Sequence, residues 1–186
     1  EDEYSGVRIT MTAEIAGARL PIQIDIGFGD AVTPAVLEIN YPSLLDMPAP
    51  RLRAYPPETV VAEKFQALVA LGMLNSRMKD FFDLWAISET FAFDGSILAD
   101  AIAATFDRRH TTIPVETPVA LTPAFAEDAA KRAQWQGFLR RTALSIAPGS
   151  FVEMQTKVSA FVLPPVQSLV VDKPLECKWV VGGPWK

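Results

Sequence analysis

The sequence YPPETVVAEKFQALVALG, residues 55–72, predicts where the helical part of the chain begins. A diproline ends an extended segment, and proline followed by the acidic Glu58 suits the first turn of a helix. Apolar residues then recur with helical spacing as far as Leu71. Gly72 follows as a typical C-terminal cap. We therefore predict an amphipathic helix over residues 58–71.

The residues before this helix predict strands. Apolar and polar side chains alternate over residues 7–15 and again over 20–28, which is the pattern of half-buried strands. The short glycine-containing segment 16–19 suits the turn of a hairpin between them. Two shorter strands are predicted over 36–39 and 51–55. So few strands rarely form a stable sheet alone.

The residues after it predict further helices. Capping residues and apolar periodicity place these helices over 77–91, 97–107, 122–143 and 151–162. We expect the tail, residues 164–186, to be irregular because it begins with two prolines. Strands followed by helices indicate an α+β fold.

Composition and charge exclude several classes of function. The chain has 186 residues, 49% hydrophobic and 21% charged, which is typical of a globular domain. Its net charge of −5 argues against duplex DNA as a partner, because phosphate binding needs concentrated cations. It lacks the uninterrupted apolar run of roughly 18 residues that a membrane span needs. A single cysteine, Cys177, fits a reducing compartment, so we expect a cytoplasmic protein.

Lys64 interrupts the apolar side of the predicted helix 58–71. On a helical wheel it falls inside the arc formed by apolar residues such as Val61, Phe65 and Leu68. A lysine in this position must extend to water or meet an anion. Two interpretations stay open: an amphipathic lysine at the edge of the core, or a cation that meets phosphate or carboxylate in a cleft.

The next predicted helix begins with a cluster of charges. Arg77 and Asp80 lie on or beside its apolar arc, whereas Lys79 and Asp83 lie on its polar side. An acidic residue in a first turn is favoured by the helix dipole, and the cluster fits a solvated run of local ion pairs. The alternative is that charges on two consecutive helices meet each other or share a ligand.

Asp25 is the candidate metal ligand. It lies in the middle of the second predicted strand and precedes Gly27 and Gly29, which leave room for a ligand near the backbone. A strand fixes the direction of a carboxylate, and carboxylate oxygens suit a divalent cation. The ordinary alternative is an exposed aspartate beside a glycine turn.

Two other features carry less chemistry. His110, the only histidine, follows Arg109 in a predicted loop, and we interpret it as a loop residue. Trp135 and Phe138 predict the packing face of a helix whose end is basic, at Arg140 and Arg141. That basic end is at most a weak signal for RNA contact.

Four motifs together resemble a known family. They are PIQIDIGFGD at residues 21–30, YPPETVVAEK at 55–64, NSRMKDFFDL at 75–84, and Trp179 followed by GGPW at 182–185. The chain resembles the AbiEii-type nucleotidyltransferase toxins, the toxin half of bacterial abortive-infection toxin–antitoxin pairs. The resemblance covers essentially the whole chain.

The resemblance implies a fold and a reaction. It implies part of a nucleotidyltransferase fold, a small mixed sheet flanked by helices, over residues 1–92, and a helical carboxyl-terminal region over 93–186. The implied reaction transfers a nucleotide from a nucleoside triphosphate to an acceptor, in some members tRNA, with Mg²⁺. The implied protein partner is a cognate antitoxin.

The same resemblance assigns roles to the candidate residues. Lys64 resembles the catalytic cation that holds the triphosphate, and Asp80 resembles the catalytic carboxylate of the second helix. Asp25 resembles a carboxylate of the metal site. The expected substrate-binding residues around Asp80 are Arg77, Lys79 and Asp83.

The chain also departs from the family pattern. The family has a glycine–serine turn and a paired Asp-x-Asp strand upstream, and neither precedes Asp25 here. We therefore expect little or no transferase activity from this chain alone. A second hypothesis is a degenerate module that binds an antitoxin or a further copy. A third is purely structural, with Asp80 pairing with Lys64 to close a cleft.

Overall fold

The computed structural model describes residues 6–142 and 149–186 and confirms the α+β class. The chain divides into two compact units, Glu1–Asp30 and Ala31–Lys186. The strands that the structure describes form three antiparallel pairs. Within these same ranges the structure has six α-helices, all in the second unit.

The first unit is the predicted hairpin. Strands β1 (Gly6–Ile15) and β2 (Ala18–Gly27) pair over their whole length. Ala16 and Gly17 join them with φ of 48° and 80°, as a two-residue type I′ turn requires. The register places Ile9 opposite Ile24, so the apolar residues of both strands share one face.

Two smaller strand pairs belong to the second unit. Strands β3 (Leu37–Asn40) and β4 (Arg51–Ala54) correspond to the two predicted short strands, and they pair with each other. Strand β5 (Phe93–Asp94) pairs with β6 (Lys178–Trp179). The prediction that the whole tail is irregular was therefore wrong, because β6 gains its backbone partner from a segment far away in sequence.

The first three helices follow the prediction closely. They are α1 (Pro57–Leu71), α2 (Met78–Thr90) and α3 (Gly95–Arg108). Gly72 ends α1 with φ of 48°, which favours glycine. The Asp94 carboxylate caps α3 by accepting from the backbone N–H groups of Ser96 and Ile97.

The predicted helix over 122–143 is two helices, so this prediction was wrong in its continuity. Helix α4 (Pro123–Glu127) and helix α5 (Ala129–Thr142) are separated at Asp128, whose φ of −58° and ψ of 130° are extended. The Asp128 carboxylate accepts from the backbone N–H of Lys131 at 2.9 Å, which satisfies a free donor at the start of α5. Residue 143 lies outside the described residues.

Helix α6 (Phe151–Val170) extends past the predicted end at residue 162 and includes Pro164 and Pro165. Because proline has no backbone N–H, these two residues leave the carbonyls of Ala160 and Phe161 without helical donors. The indole N–H of Trp185 donates to both carbonyls, at 3.2 and 3.1 Å. This replacement donor helps the helix to continue through the diproline.

One hydrophobic core unites the helices of the second unit. Phe65 of α1, Phe81 of α2, Ile102 of α3 and Phe161 of α6 are all fully buried in it. Helices on both sides of residue 92 contribute, and the boundary between residues 92 and 93 stays a prediction. In the described part of the chain, none of the helices has the length and apolar character needed to cross a bilayer.

Candidate functional site

Lys64 lies between two aspartates of the neighbouring helix. From α1, its Nζ donates to Asp80 Oδ1 at 2.9 Å and lies 2.7 Å from Asp83 Oδ2. The side chains of Lys64, Asp80 and Asp83 are only 21%, 16% and 19% exposed. The lysine in the apolar arc therefore meets carboxylates at the α1–α2 contact, one of the outcomes that the sequence left open.

This environment changes the acidity of the lysine. Burial lowers the pKa of Lys64, but the hydrogen bonds that it donates to Asp83 and Asp80, together with their negative charges, outweigh this effect. The net effect is a pKa raised above the ordinary lysine value. Lys64 is therefore held firmly as a cation, suited to electrostatic binding and unsuited to proton transfer.

Lys79 completes the charge balance of this cluster. It lies one turn before Asp83 on α2, and its Nζ is 2.5 Å from Asp83 Oδ2. Its side chain is 71% exposed, so this ion pair is largely in water. Two lysines and two aspartates leave the cluster of Lys64, Lys79, Asp80 and Asp83 formally neutral.

Beside the cluster lies an open groove between the start of α2 and the α5 helix. Its volume is about 770 Å³, and we refer to it as the α2–α5 groove. Arg77, Lys79 and Asp80 line it from α2. Asp80 therefore has two neighbours: its carboxylate holds Lys64, and the residue also borders the groove.

The opposite wall is formed by a stripe of α5 that includes Gln134, Gly137, Phe138 and Arg141. The sequence analysis gave Arg141 only a place at the basic end of a packing helix and did not single out Gln134. Spacings of three and four residues put this set on one helix face, and that periodicity is the signal that could have identified the wall. Trp135 and Phe138 are buried as predicted.

Lys131 is a buried cation that sequence reasoning also missed. Its side chain is 6% exposed, and its Nζ donates to the backbone carbonyl of Asn75 at 2.8 Å. The same ammonium lies 5.0 Å from the centre of the Phe125 ring, within range for a cation–π interaction. Because Asn75 also accepts from the backbone N–H of Arg77, Lys131 links α5 to the start of α2.

Asp25 lies in the hairpin unit, where it pairs with Arg8. The Arg8 Nε donates to Asp25 Oδ1 at 2.6 Å, and Gln23 Nε2 donates to Oδ2 at 2.8 Å. These hydrogen bonds lower the pKa of the exposed Asp25 carboxyl below its usual value. Asp25 and Arg8 also line a shallow depression of about 480 Å³ at the open end of the hairpin.

The structure groups the predicted residues of the second unit. Lys64, Asp80, Asp83 and Lys79 form one cluster, and Arg77 lies beside it on the groove. Within residues 6–142 and 149–186 no three potential metal-ligating side chains come together.

His110, predicted as a loop residue, is exposed in the turn after α3, with φ of 47°. This position agrees with the sequence prediction.

Comparison with protein-family models gives one match. Residues 1–157 match the family described as nucleotidyl transferase AbiEii toxin, type IV toxin–antitoxin system. No curated protein and no solved structure matches the chain. The matched region contains three of the four motifs that carry the resemblance: the Asp25 strand, the Lys64 helix and the charged start of α2. The fourth, Trp179 with residues 182–185, lies outside it. The chain therefore belongs to the AbiEii family of nucleotidyltransferase toxins.

Proposed function

We propose that this chain handles the nucleotide in a toxin that transfers it from a nucleoside triphosphate to an acceptor such as tRNA. The family match supports a transferase of a type IV toxin–antitoxin system, with an antitoxin as its protein partner. The observation that carries the proposal is the partly buried cluster of Lys64, Asp80 and Asp83 beside an open groove. Because the substrates would be nucleoside triphosphates and RNA, we expect a cytoplasmic location.

The cluster suits the electrostatic part of nucleotidyl transfer. Charge develops on the phosphoryl oxygens and on the leaving pyrophosphate, and a fixed cation stabilises it. Lys64 is such a cation, and a phosphate oxygen would replace one of its two carboxylate partners. Asp80, which borders the groove, would then be released to position or deprotonate the attacking hydroxyl. Arg77, Lys79 and Asp83 would orient the substrate around it.

The metal needs a separate argument. Mg²⁺, when bound, would neutralise phosphate oxygens, and Asp25 offers a suitable hard oxygen ligand. However, one carboxylate held by Arg8 does not make a magnesium site, and no three potential metal-ligating side chains come together in the described residues. The proposed role of the cluster therefore does not depend on the metal, and Asp25 as its ligand stays a prediction.

Nucleotide binding tests the proposal. Isothermal titration with each nucleoside triphosphate should show binding that Lys64→Met weakens at least tenfold, because a charge-assisted contact is worth about 1.5–3 kcal/mol. Lys157→Met is the matched control, since Lys157 also forms a partly exposed interhelical ion pair, with Glu89. Equal effects of the two variants would overturn the role of Lys64. Circular dichroism and melting curves of both variants separate binding from folding.

A transfer assay addresses the reaction itself. The chain is incubated with labelled nucleoside triphosphate, magnesium and tRNA, and label on the tRNA is measured. We expect little or none from this chain alone, because one strand carboxylate is too few for the metal chemistry. Strong labelling would contradict that expectation and would establish the transfer directly.

The exposed apolar face of the hairpin favours the second candidate, a protein-binding module. Nine apolar side chains on this face are 38–65% exposed, and such contiguous apolar surface marks interaction sites. They are Val7, Ile9, Met11, Ile15, Leu20, Ile22, Ile24, Ile26 and Phe28. In this case Ile24→Glu should reduce self-association in sedimentation velocity or binding to a cognate antitoxin, whereas Lys64→Met should change neither.

A further inference from the structure

The α2–α5 groove carries positive charge that the described protein does not neutralise. Lys79 and Asp80 are engaged in the neutral cluster around Lys64, as the contacts of Lys64 and Asp83 show. Arg77 and Arg141 also line the groove, and neither guanidinium makes an ion pair with another described residue. Two arginines that have no carboxylate partner in the described part of the chain therefore border it from opposite walls. Planar guanidinium groups suit phosphate oxygens better than any other side chain.

The position of Arg141 is set by the helix it lies on. Gly137, one turn earlier on α5, has no side chain, and a Cβ built there would lie 3.6 Å from Arg141 Nη1. The guanidinium therefore folds back along α5 over Gly137. Across the groove, the dipole of α2 adds a favourable field for an anion at the start of that helix.

We infer that the α2–α5 groove is a nucleoside phosphate site whose second wall, with Arg141, is supplied by α5. Arg77 and Arg141 hold phosphate oxygens from opposite sides. The inference rests on the proposed function for the identity of its ligand. The nucleoside phosphate comes either from free triphosphate or from the end of an RNA strand.

Variants of neighbouring arginines test the site. Arg141→Gln should weaken the binding of nucleoside triphosphate, measured by calorimetry on the full chain, roughly tenfold, as expected for a lost charge-assisted hydrogen bond. Arg140→Gln removes the same charge from the adjacent position, which is exposed and does not line the groove, and it should leave the affinity unchanged.

A short single-stranded RNA, followed by fluorescence anisotropy, forms the second arm. If Arg141→Gln weakens the binding of free nucleoside triphosphate, the groove is assigned to the donor nucleotide. If it weakens only the binding of RNA, the groove is assigned to the acceptor end. Equal effects of Arg141→Gln and Arg140→Gln in both arms, or no binding in either arm, would overturn the inference. If Lys64→Met abolishes binding while Arg141→Gln does not, the inference about the groove is wrong but the proposed function stands. If only Arg141 is needed, the groove stands and the role of Lys64 fails.

Discussion

A lysine held between two aspartates is favourable only while all three charges are present. Lys64, Asp80 and Asp83 have each lost most of their water, and each therefore depends on the others for compensation. Removing the lysine leaves two carboxylates close together and only Lys79 near one of them. The geometry that suits a triphosphate site is thus also an interhelical contact, and experiments must separate the two roles.

Stability measurements should distinguish the partly buried ion pairs of Lys64 from the exposed ion pair of Lys79. We expect Lys64→Met to lower the free energy of unfolding by about 2 kcal/mol, since it leaves partly buried carboxylates unpaired. Lys79→Met removes an exposed partner of the same Asp83 and should cost less than about 0.5 kcal/mol. Urea denaturation of the three proteins measures both values. Equal losses would mean that Lys64 is no more important to the fold than a surface lysine.

The pH dependence of that difference follows from the raised pKa of Lys64. Below about 10.5, the ordinary lysine value, Lys64 is charged in both folded and unfolded chains, so its contribution is present in full. Above this pH the unfolded chain loses the proton first, and the contribution disappears as the pH passes the higher folded-state pKa. The stability gap between wild type and Lys64→Met should therefore be constant near neutral pH and shrink above pH 10.5. A gap that grows as the pH approaches 10.5 from below would show that the pKa is lowered instead.

The sequence pattern identified Lys64 as a candidate site residue, but it did not predict all of the residues around it. Lys64 stood out because it broke an apolar arc, a signal within one helix. Asp83, by contrast, lay on the polar side of its helix in the sequence pattern, yet it lies 2.7 Å from Lys64. Neither Arg141 nor Lys131 interrupts an apolar arc in this way. The periodicity of α5 places Arg141 on one helix face, but whether that face lines a groove depends on how α5 packs against the start of α2. Periodicity describes one helix at a time and contains no packing angle.

At the scale of elements, α6 shows how a distant residue can reverse a local rule. Two consecutive prolines normally end a helix, and the sequence analysis ended it at residue 162. The helix continues because Trp185, far along the chain, donates to the two carbonyls that the prolines leave free. The diproline and the tail are therefore parts of one structural unit.

A double-mutant cycle should reveal this coupling. Trp185→Phe removes the indole N–H but keeps an aromatic ring near Phe161, and it should destabilise the protein by about 1 kcal/mol. In a background with Pro164→Ala and Pro165→Ala, the restored backbone N–H groups satisfy the same carbonyls, so the same change should cost less. Thermal unfolding of the four proteins gives the coupling energy. Equal costs in both backgrounds would show that the tryptophan acts only through packing.

At the scale of the whole molecule, burial is distributed very unequally between the two units. Every residue of the hydrophobic core lies in Ala31–Lys186, whereas residues 6–30 contain none that is buried. The alternation of apolar and polar side chains predicted the hairpin correctly, because strand patterns are local. The same alternation also implied that the apolar face of the hairpin is buried. Whether that face is buried depends on what packs against it, and the sequence of the hairpin does not specify this.

A shortened chain tests whether the second unit is self-sufficient. We expect residues 31–186 to keep the helical circular dichroism spectrum and a cooperative thermal transition, because the whole core is retained. Lys64, Asp80, Arg77 and Arg141 all remain, so the binding of nucleoside triphosphate should persist. The isolated peptide 1–30 should be unfolded, since a single hairpin is marginal in water. Loss of cooperative unfolding in 31–186 would show that the hairpin supports the core, while intact folding without nucleotide binding would place part of the site in the first unit.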